Sequence, residues 1–118
     1  MTPIRSAART LVRSSAATVV ASLGEQGVVA VTTQGVWVAR PQAVLTGNPT
    51  GAGDALVAGL ARGLLRDPAA AGHPDRMLHD AVALSAAAVL SPVAGDVDPA
   101  HHAAQLDGVV VRALDPQR

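Results

Sequence analysis

Cysteine, lysine, phenylalanine and tyrosine are absent from this chain of 118 residues, and Trp37 is its one aromatic side chain. Without cysteine there is no disulfide, no thiolate metal site and no sulfur nucleophile, a composition compatible with a reducing cytosol. The nine basic residues are all arginine and are balanced by nine acids, for a formal net charge of zero. With no basic stripe and no stacking aromatics, neither a nucleic acid nor an anionic membrane surface is an expected partner. No apolar run approaches the roughly 18 residues that span a bilayer. Met1 to Ala17 carries Arg5, Arg9 and Arg13, so it lacks the apolar centre of a signal peptide, and a cytoplasmic location is the expectation. His73, His79, His101 and His102 show no metal-ligand spacing, so no metal site is expected on the chain and these residues are assigned to the surface or to caps.

Apolar residues make up 49% of the chain, and they are mostly alanine, valine and leucine. That mixture suits valine-rich strands covered by alanine-rich helices, and the length suits one domain, residues 1–118. Ile4 to Ser15 has helical periodicity, with Ile4, Ala7 or Ala8, Leu11 and Val12 inward and the three arginines outward. Ala17 to Leu23 fits a buried strand, Gly24 to Gly27 a turn, and Val28 to Thr33 a second strand. A turn at Gln34-Gly35 leads to a third strand from Val36, and Pro41 to Leu45 reads as extended chain.

The segment Asn48-Pro49-Thr50-Gly51-Ala52-Gly53-Asp54 is the most informative. Three small residues in a row free the backbone of Cβ crowding, so its N–H groups can turn toward one point and approach an anion closely. A helix starting at Asp54 follows, with Leu56, Leu60 and Leu64 on one face and Val57 and Ala61 beside them. Its N-terminus offers unpaired donors and about half a positive charge. A turn followed by an aspartate cap is the other reading of Gly-x-Gly-Asp. Gly59 and Gly63 each cost the helix about 1 kcal/mol against alanine, which close packing on the sheet would offset. Asp67-Pro68 ends the helix and Ala69 to His73 links it to another over Pro74 to Leu90, with Leu78, Val82 and Val89 along one side. Ser91 to Pro99 reads as a loop, Ala100 to Leu106 as a short helix, and Gly108 to Arg112 as an edge strand before a frayed tail.

Asn48 to Asp54, together with Ala58-Gly59-Leu60-Ala61, resembles the C-terminal signature of the PfkB/ribokinase family of carbohydrate kinases. The resemblance implies that Gly51, Ala52 and Gly53 form the anion hole for the transferred phosphate and that Asp54 is the catalytic base. Ser22-Leu23-Gly24-x-x-Gly27 is similar to the family's nucleotide-contacting turn and lies 27 residues before Asp54, so Ser22, Gly24, Gly27 and Gly53 are the nucleotide-binding candidates. Taken alone, that turn also reads as an ordinary hairpin. The resemblance implies that small residues near Ala83 and Ala87 form a wall of the adenine pocket; tight helix packing is the other reading and the preferred one for any single alanine. Asn48 looks like the phosphofructokinase and tagatose-phosphate kinase branch, though a capping or turn role reads equally well.

The implied fold is three-layer αβα and ribokinase-like, in its C-terminal part only: a partial parallel sheet with hairpins, flanked by helices. The implied activity is transfer of a phosphoryl group from ATP, with Mg2+, to a hydroxyl of a sugar or sugar phosphate. No N-terminal Gly-Gly signature, sugar-gripping acid or lid strand is found. The alternative is a truncated, non-catalytic nucleotide-binding fragment or an assembly-dependent remnant, acting as a homodimer or with the N-terminal half supplied in trans.

Overall fold

The computed structural model describes residues 2–15, 17–43, 45 and 47–114. Helix α1 (Thr2–Ser14) leads into strand β1 (Thr18–Ser22), a single 3-10 turn (Gly24–Gln26), β2 (Val28–Thr32) and β3 (Gly35–Arg40). Then come α2 (Ala52–Arg66), a second 3-10 turn (Pro68–Gly72), α3 (Pro74–Leu90), α4 (Pro99–Leu106) and β4 (Val110–Leu114). Every expected helix and strand is present, with ends displaced by a residue or two. Two expectations fall partly outside the described residues: the extended run over Pro41 to Leu45, at Val44, and the frayed tail, from residue 115 on.

The sheet is an antiparallel meander in the order β1-β2-β3-β4. The α/β layering therefore stands as expected, but no parallel pair occurs among the described residues. The connections explain two of the three pairs: β1–β2 and β2–β3 are joined by tight turns, far too short for the crossover that parallel neighbours need, whereas β4 returns antiparallel to β3 after α2, α3 and α4. Alternation along the strands sends side chains to two cores. Val29, Val31 and Val36 meet Ala8 and Val12 of α1, whereas Val28, Ala30 and Ala39 meet Leu56 of α2 and Leu78, Ala81 and Val82 of α3. Helices thus cover both faces, which is the three-layer arrangement.

Helix α1 is rotated from the expected setting. Arg5, Ala8 and Val12 form its buried line, while Ile4 and Leu11 are exposed, Leu11 by 55%. The long aliphatic stem of an arginine can lie along an apolar surface, so a basic residue at the interface with β1 and β2 is physically sound. On α2 the expected inner residue Leu56 is buried and Leu60 packs against the core, but Val57 and Ala61 face outward.

Helix α3 is buried on almost every side, which its alanines make feasible. It touches α2, α4, β2, β3 and β4 together, and a thin helix lets all of them approach. His102 is not the surface residue expected. Its Nε2–H donates to a carboxylate oxygen of Asp80 at 3.0 Å and ties α4 to α3, while Asp98 caps α4 by accepting from the Ala100 amide at 2.8 Å.

Gly59 sits where α2 crosses α3: a Cβ there would lie 2.8 Å from Cα of Ala81. Its cost in helix propensity is therefore offset by packing against α3, not against the sheet. At Gly63 a Cβ would meet nothing, so the packing argument does not extend to it. Gly59→Ala is expected to lower stability by about 1–2 kcal/mol, overpacking outweighing the propensity gain. Gly63→Ala should raise it by up to about 1 kcal/mol. Urea midpoints at constant slope read both, and equal effects would contradict the packing account.

Candidate active site

The small-residue segment is folded tightly before α2 begins. Asn48 N–H donates to the Val89 carbonyl at 2.8 Å, anchoring the loop to the end of α3. The Asn48 side-chain oxygen then accepts from Thr50 N–H at 3.0 Å, so this asparagine serves as a turn residue. Gly51 has φ 89°, a left-handed conformation that suits glycine, and its carbonyl accepts from Ala55 N–H at 2.9 Å. The helix therefore starts at Ala52 rather than at Asp54, and Asp54 belongs to its first turn instead of capping it. Ser85 of α3 steadies this turn by donating its hydroxyl to the Ala52 carbonyl at 3.0 Å.

The backbone donors divide accordingly. Ala52 N–H is used internally, donating to the Pro49 carbonyl at 3.2 Å. The N–H groups of Gly53 and Asp54 meet no protein carbonyl among the described residues, as expected for the first turn of a helix. A Cβ added to Gly53 would meet no atom, whereas one added to Gly51 would lie 2.6 Å from the Gly95 amide nitrogen. Gly51 is thus required by the fold, and Gly53 leaves space that the fold does not fill.

That space belongs to a cavity of about 640 Å³, a size suited to a small-molecule ligand. Ser22, Gly24 and Gly27 line it from the β1–β2 turn, and Ala52 and Gly53 line it from α2. The two expected motifs therefore converge on one cavity. Gly27 is also constrained by the fold, with φ 95° and its α-carbon facing the Ala39 carbonyl, so that a side chain would clash there. Gly24, at φ 59°, has open space around it.

The apolar wall is Val82, Ala86 and Val89 of α3, beside Ala83 and Ala87, which are taken up by tight helix packing, the reading preferred for a single alanine. Positions 82, 86 and 89 share a helical face, and Ala83 and Ala87 are fully buried on the next. Two charged residues in the lining, Glu25 and Arg40, were not singled out from the sequence; the only signal was an arginine beside Pro41 at a strand end. The helix N-terminus and Arg40 are both attractive to an anion. Asp54 is exposed, lies next to the cavity without lining it, and its carboxylate has no partner among the described residues.

An antiparallel sheet between helices, with small residues at a helix start bordering a ligand-sized cavity, is an α/β layered fold, and the solved structures it matches make it a partial ribokinase-like one. A Staphylococcus aureus protein provisionally assigned as a phosphofructokinase superposes with TM-score 0.78 at 23% identity, covering 98% of this chain and 36% of that one. Escherichia coli phosphofructokinase-2, solved with potassium, gives TM-score 0.77 at 28% identity, covering 88% and 33% respectively. A Thermotoga maritima protein provisionally assigned as a 1-phosphofructokinase gives 0.77 at 21% identity, covering 93% and 33%. The chain thus spans about a third of the structures it matches. No curated protein matches it. The pattern of the pfkB family of carbohydrate kinases matches residues 2–101, and the chain belongs to that family.

The two glycines should respond oppositely to substitution. Gly51→Ala is expected to cost about 2 kcal/mol or more, from left-handed strain plus the clash with Gly95. Gly53→Ala should leave stability unchanged or raised by up to about 1 kcal/mol, while its methyl group weakens binding of a magnesium nucleotide. Thermal melts beside calorimetric titration with Mg-ADP check the pair, and undiminished binding by Gly53→Ala would contradict a ligand role for that space.

Proposed function

We propose that this chain is the nucleotide-binding and catalytic part of an ATP-dependent kinase for a sugar or sugar-phosphate hydroxyl, 1-phosphofructokinase-like in substrate. The observation that carries the reading is the convergence of Ser22, Gly24, Gly27 and Gly53 on one cavity beside uncommitted amides at the start of α2. Family membership and the phosphofructokinase-2 likeness support the substrate class. A cytoplasmic location goes with this reading, and no helix among the described residues is long and apolar enough to cross a membrane.

Asp54 takes the proton from the acceptor hydroxyl, whose oxygen bonds to the γ-phosphorus as the bond from that phosphorus to the leaving oxygen of ADP breaks. The anion hole expected over Gly51, Ala52 and Gly53 is shifted by one residue in this reading, its donors being the amides of Gly53 and Asp54. Gly51 sets the turn, Ala52 commits its own amide to Pro49, and the N–H groups of Gly53 and Asp54 face the oxygens that gain charge. In this reading magnesium would be held by the nucleotide phosphates. There it would neutralise phosphate charge.

A second reading is a non-catalytic nucleotide-binding portion, favoured by the exposure of Asp54 outside the cavity lining. Turnover separates the two. With the remaining kinase portion of Escherichia coli phosphofructokinase-2 supplied and fructose 6-phosphate as acceptor, the chain should form ADP. Asp54→Asn should lower that rate by about 10² to 10⁴ and leave Mg-ATP affinity unchanged. A rate equal to the unmodified chain removes Asp54 from the mechanism, and nucleotide binding with no turnover favours the second reading.

A further inference from the structure

Helix α1 and the β2–β3 turn border a second cavity, of about 340 Å³, on the face of the sheet away from α2 and α3. It also lies at the other end of the sheet from the candidate active site, since β2 borders that site at Val28 and this cavity at Thr32. No residue lines both.

The charge here is of one sign. Arg9 and Arg13 are one helical turn apart on α1, so both guanidinium groups serve the same side of the cavity, and no acidic residue lines it. The end of α1 brings about half a negative charge to this region, which two full cations outweigh. Part of that end is also occupied: the Ser14 hydroxyl donates to the Thr10 carbonyl at 3.0 Å, and Ser15 N–H donates to the Leu11 carbonyl at 3.2 Å.

Across from the arginines, the turn adds neutral donors. Thr32 Oγ1 accepts from Gln34 N–H at 3.0 Å, which leaves its own hydroxyl proton to donate. Thr33 N–H donates to no protein carbonyl among the described residues, and Thr33 and Gln34 line the cavity with a hydroxyl and a carboxamide. Beneath these groups the lining is apolar, because Val12 and Val36 are buried core residues. A bare ion would use the polar rim and leave that floor uncovered.

We propose that this cavity binds a small phosphate monoester, with its phosphoryl oxygens on Arg9, Arg13 and the turn donors and its carbon skeleton over Val12 and Val36. A phosphomonoester carries close to two negative charges at neutral pH and three strong acceptor oxygens, a match for two planar guanidinium forks and adjacent hydroxyls. The volume is at the low end for ligand pockets, which suits a skeleton of a few carbons. Bound there, the ester ties α1 to the β2–β3 turn. No residue of this site belongs to the cavity of the kinase reading, so the two stand or fall separately.

Glycerol 3-phosphate is the probe, with inorganic phosphate, succinate and glycerol beside it, and backbone amide resonances of the full isotope-labelled chain are followed residue by residue. The ester should shift Thr33, Gln34 and Gly35 saturably, binding about tenfold more tightly than inorganic phosphate or succinate because only it covers the apolar floor while placing a phosphoryl group on the rim. Glycerol should move none of them. Arg9→Gln and Arg13→Gln should each weaken ester binding by about tenfold or more, the loss expected for a charge-assisted hydrogen bond. Arg13 is exposed, so its replacement keeps the fold. Arg66→Gln, in the last turn of α2 and lining neither cavity, should bind like the unmodified chain. Equal affinity for inorganic phosphate and the ester would mean an adventitious ion only and would overturn the proposal. Tighter binding of succinate, unmoved amides at Thr33 and Gln34, or undiminished binding by Arg13→Gln would overturn it as well. Ester shifts confined to Gly53 and Asp54 would do the same while leaving the kinase reading intact.

Discussion

The left-handed conformation of Gly51 is the constraint on which the site depends. By turning the chain at φ 89° it starts α2 at Ala52 and commits its carbonyl to Ala55, and the first turn is thereby placed against the cavity. Any residue with a Cβ would meet both the strain of positive φ and the amide of Gly95. The consequence is a division of labour among adjacent small residues. Gly51 and Ala52 are occupied with folding, and Gly53 and Asp54 keep their donors for something else.

The remainder of the molecule holds that turn in place. α3 receives the loop at Val89, steadies the helix start through Ser85, and lets α2 cross closely at Gly59. Its alanines serve this purpose, since a thicker helix could not meet α2, α4 and the sheet together. On the other side of the cavity, the positive φ of Gly24 and Gly27 folds the β1–β2 connection into the short turn that puts Ser22 on the rim. Two distant motifs are brought together by one antiparallel hairpin and one helix crossing. The position of Asp54, beside the cavity and open to solvent, matches a chain that covers only a third of the folds it resembles.

Much of this was legible in the sequence because it is local. Valine runs separated by glycine turns fixed the hairpins, and leucines at intervals of four fixed the inner face of α2. The motif residues were found for the same reason: their chemistry lies in consecutive positions. What was not legible depended on partners far along the chain. The rotation of α1 toward Arg5 depends on the sheet it lies on, and which residues near Ala83 and Ala87 face the cavity depends on how α3 is set against α2. The two short turns are enough to make β1, β2 and β3 antiparallel, but the antiparallel return of β4 to β3 across three helices has no local signal. That Ala52 would spend its amide on Pro49, and that His102 would join α3 to α4, follow only from three-dimensional placement.

The central claim is that a phosphate-bearing ligand is held by the amides of Gly53 and Asp54. Backbone amide resonances of the isotope-labelled chain, followed during titration with Mg-ADP, test it residue by residue. The account predicts saturable downfield proton shifts at Gly53 and Asp54, accompanied by changes at Ser22, Gly24 and Gly27, while the Ala52 amide keeps the signature of its internal bond. Saturable binding that leaves Gly53 and Asp54 unmoved, or no response at any of these residues, would contradict it.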